Sequence, residues 1–223
     1  MFGPLYDHKH RFYSVSSIAS KRNRFHQKGP RESLLCARCE QRFGHYENYA
    51  SDVFVGDGAT RPSPTQTGFL FTGLDYKRLK LFFMSLIWRL GVTRIEHFAG
   101  ADLGSHREHL RVLLLADEPA DFLRYPAMVT ALTHDRRYIP DLIIPPFSAR
   151  VEGRRAYAVV ITGFLFHFFV SNQNPPEKLW GGFLQPNGDF PLHVTDIRGV
   201  PFLQQWGAEI AKAEAVRNSS KQQ

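Results

Sequence analysis

Between Tyr76 and Leu90 the chain leaves itself almost no polar face. Leu79, Phe82, Phe83, Leu86, Ile87 and Leu90 form one apolar stripe at helical spacing, and Leu81, Met84 and Trp88 form a second. A helix that is apolar nearly all round belongs in a core, with its lysines and Arg89 expected at solvent or against the N-terminal part of the chain. At 223 residues, 43% hydrophobic and 13% aromatic, the chain can bury such a core, so one main domain with a small appendage is expected. No apolar run reaches the roughly 20 residues of a membrane span, and no signal-peptide pattern is visible. Two cysteines three positions apart cannot form a disulfide framework, so a soluble, cytoplasmic protein without a membrane partner is expected.

Both cysteines lie in Leu34-Leu35-Cys36-Ala37-Arg38-Cys39-Glu40-Gln41-Arg42-Phe43. A Cys-x-x-Cys turn points two sulfurs at one place, which suits tetrahedral zinc, but a closed structural site needs four ligands. Two other readings stay open: free thiols in a reducing compartment, and a redox pair. His8, His10 and His26 are available as further zinc ligands, although their spacing from Cys36 follows no standard finger pattern. From Cys39 onward, Phe43, Tyr46, Ala50, Val53 and Phe54 follow the rhythm of a helix with one buried face.

The pattern Leu34-Leu35-Cys36-x-x-Cys39-Glu40-x-x-Phe43-x-x-x-Glu47 resembles the second zinc knuckle of a group of bacterial proteins related to HNH endonucleases. In that group an earlier Cys-x-x-Cys and a Ser-His-Ile-Ile-Pro segment precede tracts similar to Leu5-Tyr6-Asp7 and Gln27-Lys28-Gly29-Pro30-Arg31-Glu32. The present chain starts after those elements, so the resemblance implies that the first ligand pair and the catalytic histidine lie upstream. It also implies that the knuckle leads into a helix that supplies a ligand to a catalytic magnesium or manganese ion. Many members carry histidine or asparagine after the second cysteine. Here that position is Glu40, a hard-metal ligand and the best remaining catalytic candidate, against its reading as a first-turn acid favoured by the helix dipole. His45 and Glu47 carry the same ambiguity. The specific part of the resemblance ends near residue 90.

Charge is unevenly placed. Of the formal net +7, residues 1–31 hold a net +6, leaving +1 for the rest. Lys21, Arg22, Arg24, Lys28 and Arg31, interleaved with Phe12, Tyr13, Phe25 and His26, are candidate nucleic-acid contacts: cations neutralise phosphates and aromatic rings stack on bases. A solvated arm is the plainer reading.

Downstream, Gly56 to Gln66 is rich in breakers and reads as a linker, and Phe69 to Phe71 as a short strand. Ser105-His106-Arg107-Glu108 has a capping-box pattern opening a helix with Leu110, Leu113 and Leu114, closed by Asp117-Glu118-Pro119. His106 and His109 stand one turn apart on it, with exposed positions favoured over metal ligation. Strands are expected at 127–133, 142–144, 157–170 with a kink at Gly163, 182–185 and 190–195. Their order implies a largely antiparallel sheet, with a turn at Pro186-Asn187-Gly188-Asp189. His167 is expected as a hydrogen-bonded core residue, and a helix over 203–217 to present Leu203, Trp206, Ile210 and Ala213 before a disordered tail. Pro140-Asp141 and Glu152-Gly153-Arg154 loosely resemble a second nuclease class. Arginine replaces its lysine, however, and cannot accept a proton.

The sequence thus implies an α+β protein: a basic zinc-knuckle unit over residues 1–57, an α+β domain over 67–218 and a tail over 219–223. The resemblance implies a DNA-acting HNH-like protein, truncated or inactive as it stands, and a metal-dependent endonuclease if the upstream histidine is present. The alternative is a non-enzymatic, zinc-stapled interaction or nucleic-acid-binding protein.

Overall fold

The structure, a computed structural model, describes residues 11–15, 19–21, 23–27, 32–56 and 61–219. In chain order the elements are β1 (Phe12–Ser14), β2 (Arg24–His26), α1 (Ala37–Phe54), β3 (Ser63–Thr65), β4 (Gly68–Phe71), α2 (Tyr76–Val92) and α3 (His106–Leu115). They continue with β5 (Ala127–His134), β6 (Arg137–Tyr138), β7 (Ile144–Val151), β8 (Arg154–Ile161), β9 (Phe164–Phe168), β10 (Phe190–Asp196) and α4 (Pro201–Ser219). This is an α+β fold. β1 and β2 form a separate two-stranded ribbon, and the other strands form an eight-stranded sheet in the order β3-β4-β10-β5-β9-β8-β7, with β6 paired to β5. Every pairing in that sheet is antiparallel except β10 with β5. No helix of the described residues is long and apolar enough to cross a membrane.

The sheet is covered on both faces, which explains its sequence. Tyr157, Val159 and Ile161 of β8 and Phe164, Phe166 and Phe168 of β9 join the core shared with α1, α2 and α3. Ala158, Val160 and Leu165 face the other way, under Leu203 and Trp206 of α4. Strands buried on both faces read as continuous apolar runs rather than alternating ones. That is why 157–170 looks like one kinked strand. It is two strands joined by Thr162-Gly163, both at positive φ (49° and 76°), with Ile161 opposite Phe164. Asp135-Arg136 and Glu152-Gly153 make the same two-residue turn, with positive φ at both positions. Glu152 is therefore a hairpin residue, ion-paired to Lys178.

As expected, α2 is the core helix, with Leu79, Leu81, Phe82, Phe83, Met84, Ile87 and Leu90 buried and Asp75 capping it by accepting from Arg78 N at 3.0 Å. Its lysines divide. Lys77 pairs with Asp117 at 2.6 Å, but Lys80 is only 2% exposed, against the expectation that it faces solvent. The face of α1 is also as read: Phe43, Tyr46, Ala50 and Val53 are buried in the same core as the sheet, so the expected 1–57 unit shares its core with the 67–218 domain through α1.

Other expectations need correction. Residues 182–185 are not a strand but leave a 3-10 turn, Glu177–Gly182. The strand placed at 142–144 begins at Ile144 and runs to Val151; its Pro145 and Pro146 are tolerated because β7 is a sheet edge with a register shift there. Within the expected linker, Ser63–Thr65 folds back on β4. Ser105 gives no side-chain cap to α3. Instead the helix is closed at its other end, where Asp117 at φ 58° donates to the Leu114 carbonyl and Glu118 N to Leu113 at 3.0 Å. Asn218 and Ser219, expected in the tail, are helical, while 220–223 lie outside the described residues.

Two glycines separate turn strain from packing. A Cβ at Gly153 meets nothing, whereas one at Gly163 collides with the Ile139 carbonyl. Gly153→Ala should therefore cost only the left-handed backbone penalty, about 1 kcal/mol, and Gly163→Ala about 3 kcal/mol or more, measured by denaturant unfolding. A kinked single strand would show no such contrast.

Candidate functional site

The chain reaches α1 along a fixed path. Glu32 accepts from Thr93 Oγ1 at 2.7 Å and from Arg94 N at 3.0 Å, tying the approach to the end of α2. Leu35 packs on the core, and Cys36 then takes the N-cap position in extended geometry. Cys36 is exposed, and Cys39, one turn on, is partly buried. The Cys39 backbone N–H and thiol, both directed at Cys36, hold its thiol below the ordinary value. Donating to Cys36, together with burial, pushes the Cys39 thiol up. Two adjacent sulfurs fit either a soft metal ion or a dithiol–disulfide couple.

Among the described residues, no histidine or carboxylate groups with the two sulfurs as a third ligand. The described residues thus bring two sulfurs together without a third ligand. His8 and His10 lie outside them. Glu40 is exposed in the first turn of α1 and belongs to no group of three or more metal-ligating side chains among the described residues. Glu47 is committed to an ion pair with Arg89, and His45 is exposed. The one His/Asp/Asp group among the described residues is His134, Asp135 and Asp196, at the mouth of the β5–β6 turn. Arg198 already neutralises it, at 2.7 Å from Asp135 and 2.8 Å from Asp196, and holds the Asp196 carboxyl far below its usual range.

Of the candidate nucleic-acid contacts, Lys21 and Arg24 are described and Arg22, Lys28 and Arg31 are not. Arg24 lies exposed on β2, and Lys21 stands 3.8 Å from Glu96. The ribbon places Tyr13 opposite Phe25, both strongly exposed, with ring centroids 4.8 Å apart and the Arg11 guanidinium 4.5 Å from the Phe25 centroid. Asn23 fastens the ribbon to α4 through Glu214 at 2.9 Å and Arg217 at 2.7 Å.

A second cluster was not legible as one in the sequence. His106 and His109 both bring Nδ1 to 3.0 Å from the Tyr125 hydroxyl, and Arg124 Nη2 lies 3.1 Å from His109 Nδ1. His106 is therefore engaged rather than simply exposed. Burial, then Arg124 and His109, lower its basicity. Tyr125 is 3% exposed at φ 51°, a strained conformation for an aromatic residue. From below, Lys80 Nζ donates to the carbonyls of Phe122 at 3.2 Å and Tyr125 at 3.4 Å. Burial brings the Lys80 amine down to about 7. The only signal for this site was the histidine pair. Arg124, Tyr125 and Lys80 carry no pattern.

On the opposite face of the sheet, Phe147, Ser148, Arg150, Leu165, Val200 and Phe202 line an open cleft of about 460 Å³ with His167 among them. His167 was expected to be hydrogen-bonded. It has no hydrogen-bond partner among the described residues, and burial brings its imidazole down to about 4.

Compared with family models, curated proteins and solved structures, the chain had no match.

Lys80 makes a pH prediction. Unfolded, its amine titrates at the ordinary 10.5, and folded at about 7. Between those values the unfolded state holds a proton that the folded state has released, so stability rises with pH across that window and is flat on this account below it. The slope cannot exceed about 1.4 kcal/mol per pH unit. Lys80→Met should remove the rise, as read by denaturant unfolding from about pH 6 to about pH 10.

Proposed function

We propose that the chain is a nucleic-acid-binding protein related to the HNH endonucleases, with DNA the favoured partner, and that Cys36 and Cys39 form one half of a zinc knuckle. The observation that carries this reading is the β1–β2 ribbon, where Tyr13 and Phe25 are 53% and 55% exposed beside Arg11, Lys21 and Arg24. Exposed aromatic rings interleaved with cations match what a strand of nucleic acid offers: bases stack on the rings at about 1–3 kcal/mol each, while phosphates meet the cations. The two free thiols, one exposed and one half-buried, suit a reducing compartment, and the cytoplasm is the proposed location.

Binding is favoured over cleavage. Glu40 joins no group of three metal-ligating side chains among the described residues, so no metal-assisted step is assigned to it. The role left to Cys36 and Cys39 is to hold zinc at the entry into α1, a helix whose buried face is already packed in the core.

The test is fluorescence anisotropy with short single-stranded and duplex DNA over a range of salt concentrations. Lys21→Ala with Arg24→Ala should weaken binding to all sequences and lower the log affinity–log salt slope by about 2. Phe25→Ala should weaken single-strand binding by about 1–3 kcal/mol and leave the slope unchanged. Cys36→Ser with Cys39→Ser should abolish zinc uptake. No DNA binding by the unaltered protein at low salt would leave the non-enzymatic interaction reading instead.

A further inference from the structure

The donor count at Tyr125 leaves its cluster short of negative charge. A phenol can donate one proton, so with two imidazole Nδ1 atoms at 3.0 Å it donates to one and accepts from the other. Arg124 only donates, so His109 Nδ1 is an acceptor whose single lone pair is shared between Arg124 Nη2 and the phenol, while the phenol oxygen also accepts from Arg124 Nη2 at 3.3 Å. With its Nδ1 an acceptor, His109 carries its proton on Nε2, where it can donate outward. The other Arg124 contacts are neutral, the Ser171 carbonyl at 3.3 Å and Asn172 Oδ1 at 3.5 Å.

Among the described residues no carboxylate pairs with Arg124, His106 or His109, although the charge of Asp121 acts on Lys80 beneath them. Glu108 on the same helix is bonded to Arg111 at 2.6 and 2.8 Å, Asp102 accepts from Gly104 N, and Asp121 accepts from Leu123 N. The charged groups that act on His106 are Arg124 and His109, and both oppose its protonation. Unlike the arginine at Asp135 and Asp196, Arg124 pairs with no acid among the described residues, and its half-buried guanidinium gains from any anion that arrives. The geometry is also braced: Lys80 grips the Tyr125 carbonyl while the imidazoles grip its hydroxyl, so a strained residue is fixed at both ends.

We propose that the first turn of α3 and the Arg124-Tyr125 turn form a phosphate-binding site, in which Arg124, His106 and His109 hold the oxyanion and Tyr125 orients the two imidazoles. None of these residues belongs to the β1–β2 ribbon. α3 has ten residues, so its C-terminal end, where the Leu114 and Leu115 carbonyls accept from Arg42 of α1, lies roughly 15 Å from its first turn. The ligand chemistry is a tetrahedral phosphate, from free phosphate or a monoester, or from a phosphodiester backbone.

The test follows each imidazole by NMR through a pH titration of the full chain at matched ionic strength, in chloride alone, with inorganic phosphate, and with a short single-stranded DNA lacking a terminal phosphate. Bound phosphate favours protonated imidazole, so the His106 and His109 midpoints should rise by about half a pH unit or more while exposed His45 stays put. A rise with inorganic phosphate assigns a free or monoester ligand, and a rise with DNA alone assigns the diester. Arg124→Gln should abolish the rise, and His109→Gln, at an exposed position, should weaken it at His106 without disturbing the fold. An unchanged His106 midpoint under both ligands, or an equal shift at His45, would overturn the proposal.

Discussion

The packing of Phe54 and Phe83 onto the sheet holds the molecule together. Phe54, the last residue of α1, has ring centroids 5.2 Å from Phe164, 6.1 Å from Phe190 and 6.4 Å from both Phe83 and Phe166. Phe83 of α2 reaches Phe190 at 5.7 Å and Phe166 at 6.3 Å. Each such pair contributes about 0.5–1.5 kcal/mol beyond the area it buries, and losing one of these rings costs about 3–5 kcal/mol. The node joins β9 and β10, which lie on either side of β5, to two helices. Without it α2 would be an apolar rod with no cover. With it, the far end of α1 is fixed, and so is the start of α1 where the cysteines stand.

Polar groups confirm this helical layer at its edges rather than within it. Arg42 holds α1 to the end of α3, Tyr46 and Lys77 meet at Asp117, and Arg89 pairs with Glu47. The exception is the segment from Asp117 to Tyr125, where three non-glycine residues take positive φ and a lysine is buried beneath them. Strain and buried charge cost stability, and they persist only where surrounding structure over-determines them. Both costs fall on one loop, the one that carries the cation cluster.

What the sequence disclosed follows periodicity. α1, α2 and α3 were legible because each has one apolar stripe or a full apolar surround, and β4, β5 and β10 because they alternate or end at clear turns. The Thr162-Gly163 hairpin was hidden, since strands covered on both faces lose their alternation and the turn lacks the usual Asn-Gly or Asp-Gly pair. β7 was hidden by Pro145-Pro146, tolerated only because it is an edge. Of the sites, the cysteine pair and the basic arm were visible as local patterns. The Tyr125 cluster brings together residues 106, 109, 124 and 125 through two backbone turns, and nothing local marks Lys80 as the buried member of a helix with several cations.

The claim on which the account rests is that α1, and with it the Cys36–Cys39 turn, is held by the aromatic core rather than by a metal ion. Native-state hydrogen exchange, with and without a zinc chelator, tests it most directly. The account predicts that amides from Phe43 to Val53 are as protected as those of α2 and stay so when metal is removed. Selective loss of α1 protection on chelation, with α2 unchanged, would contradict it.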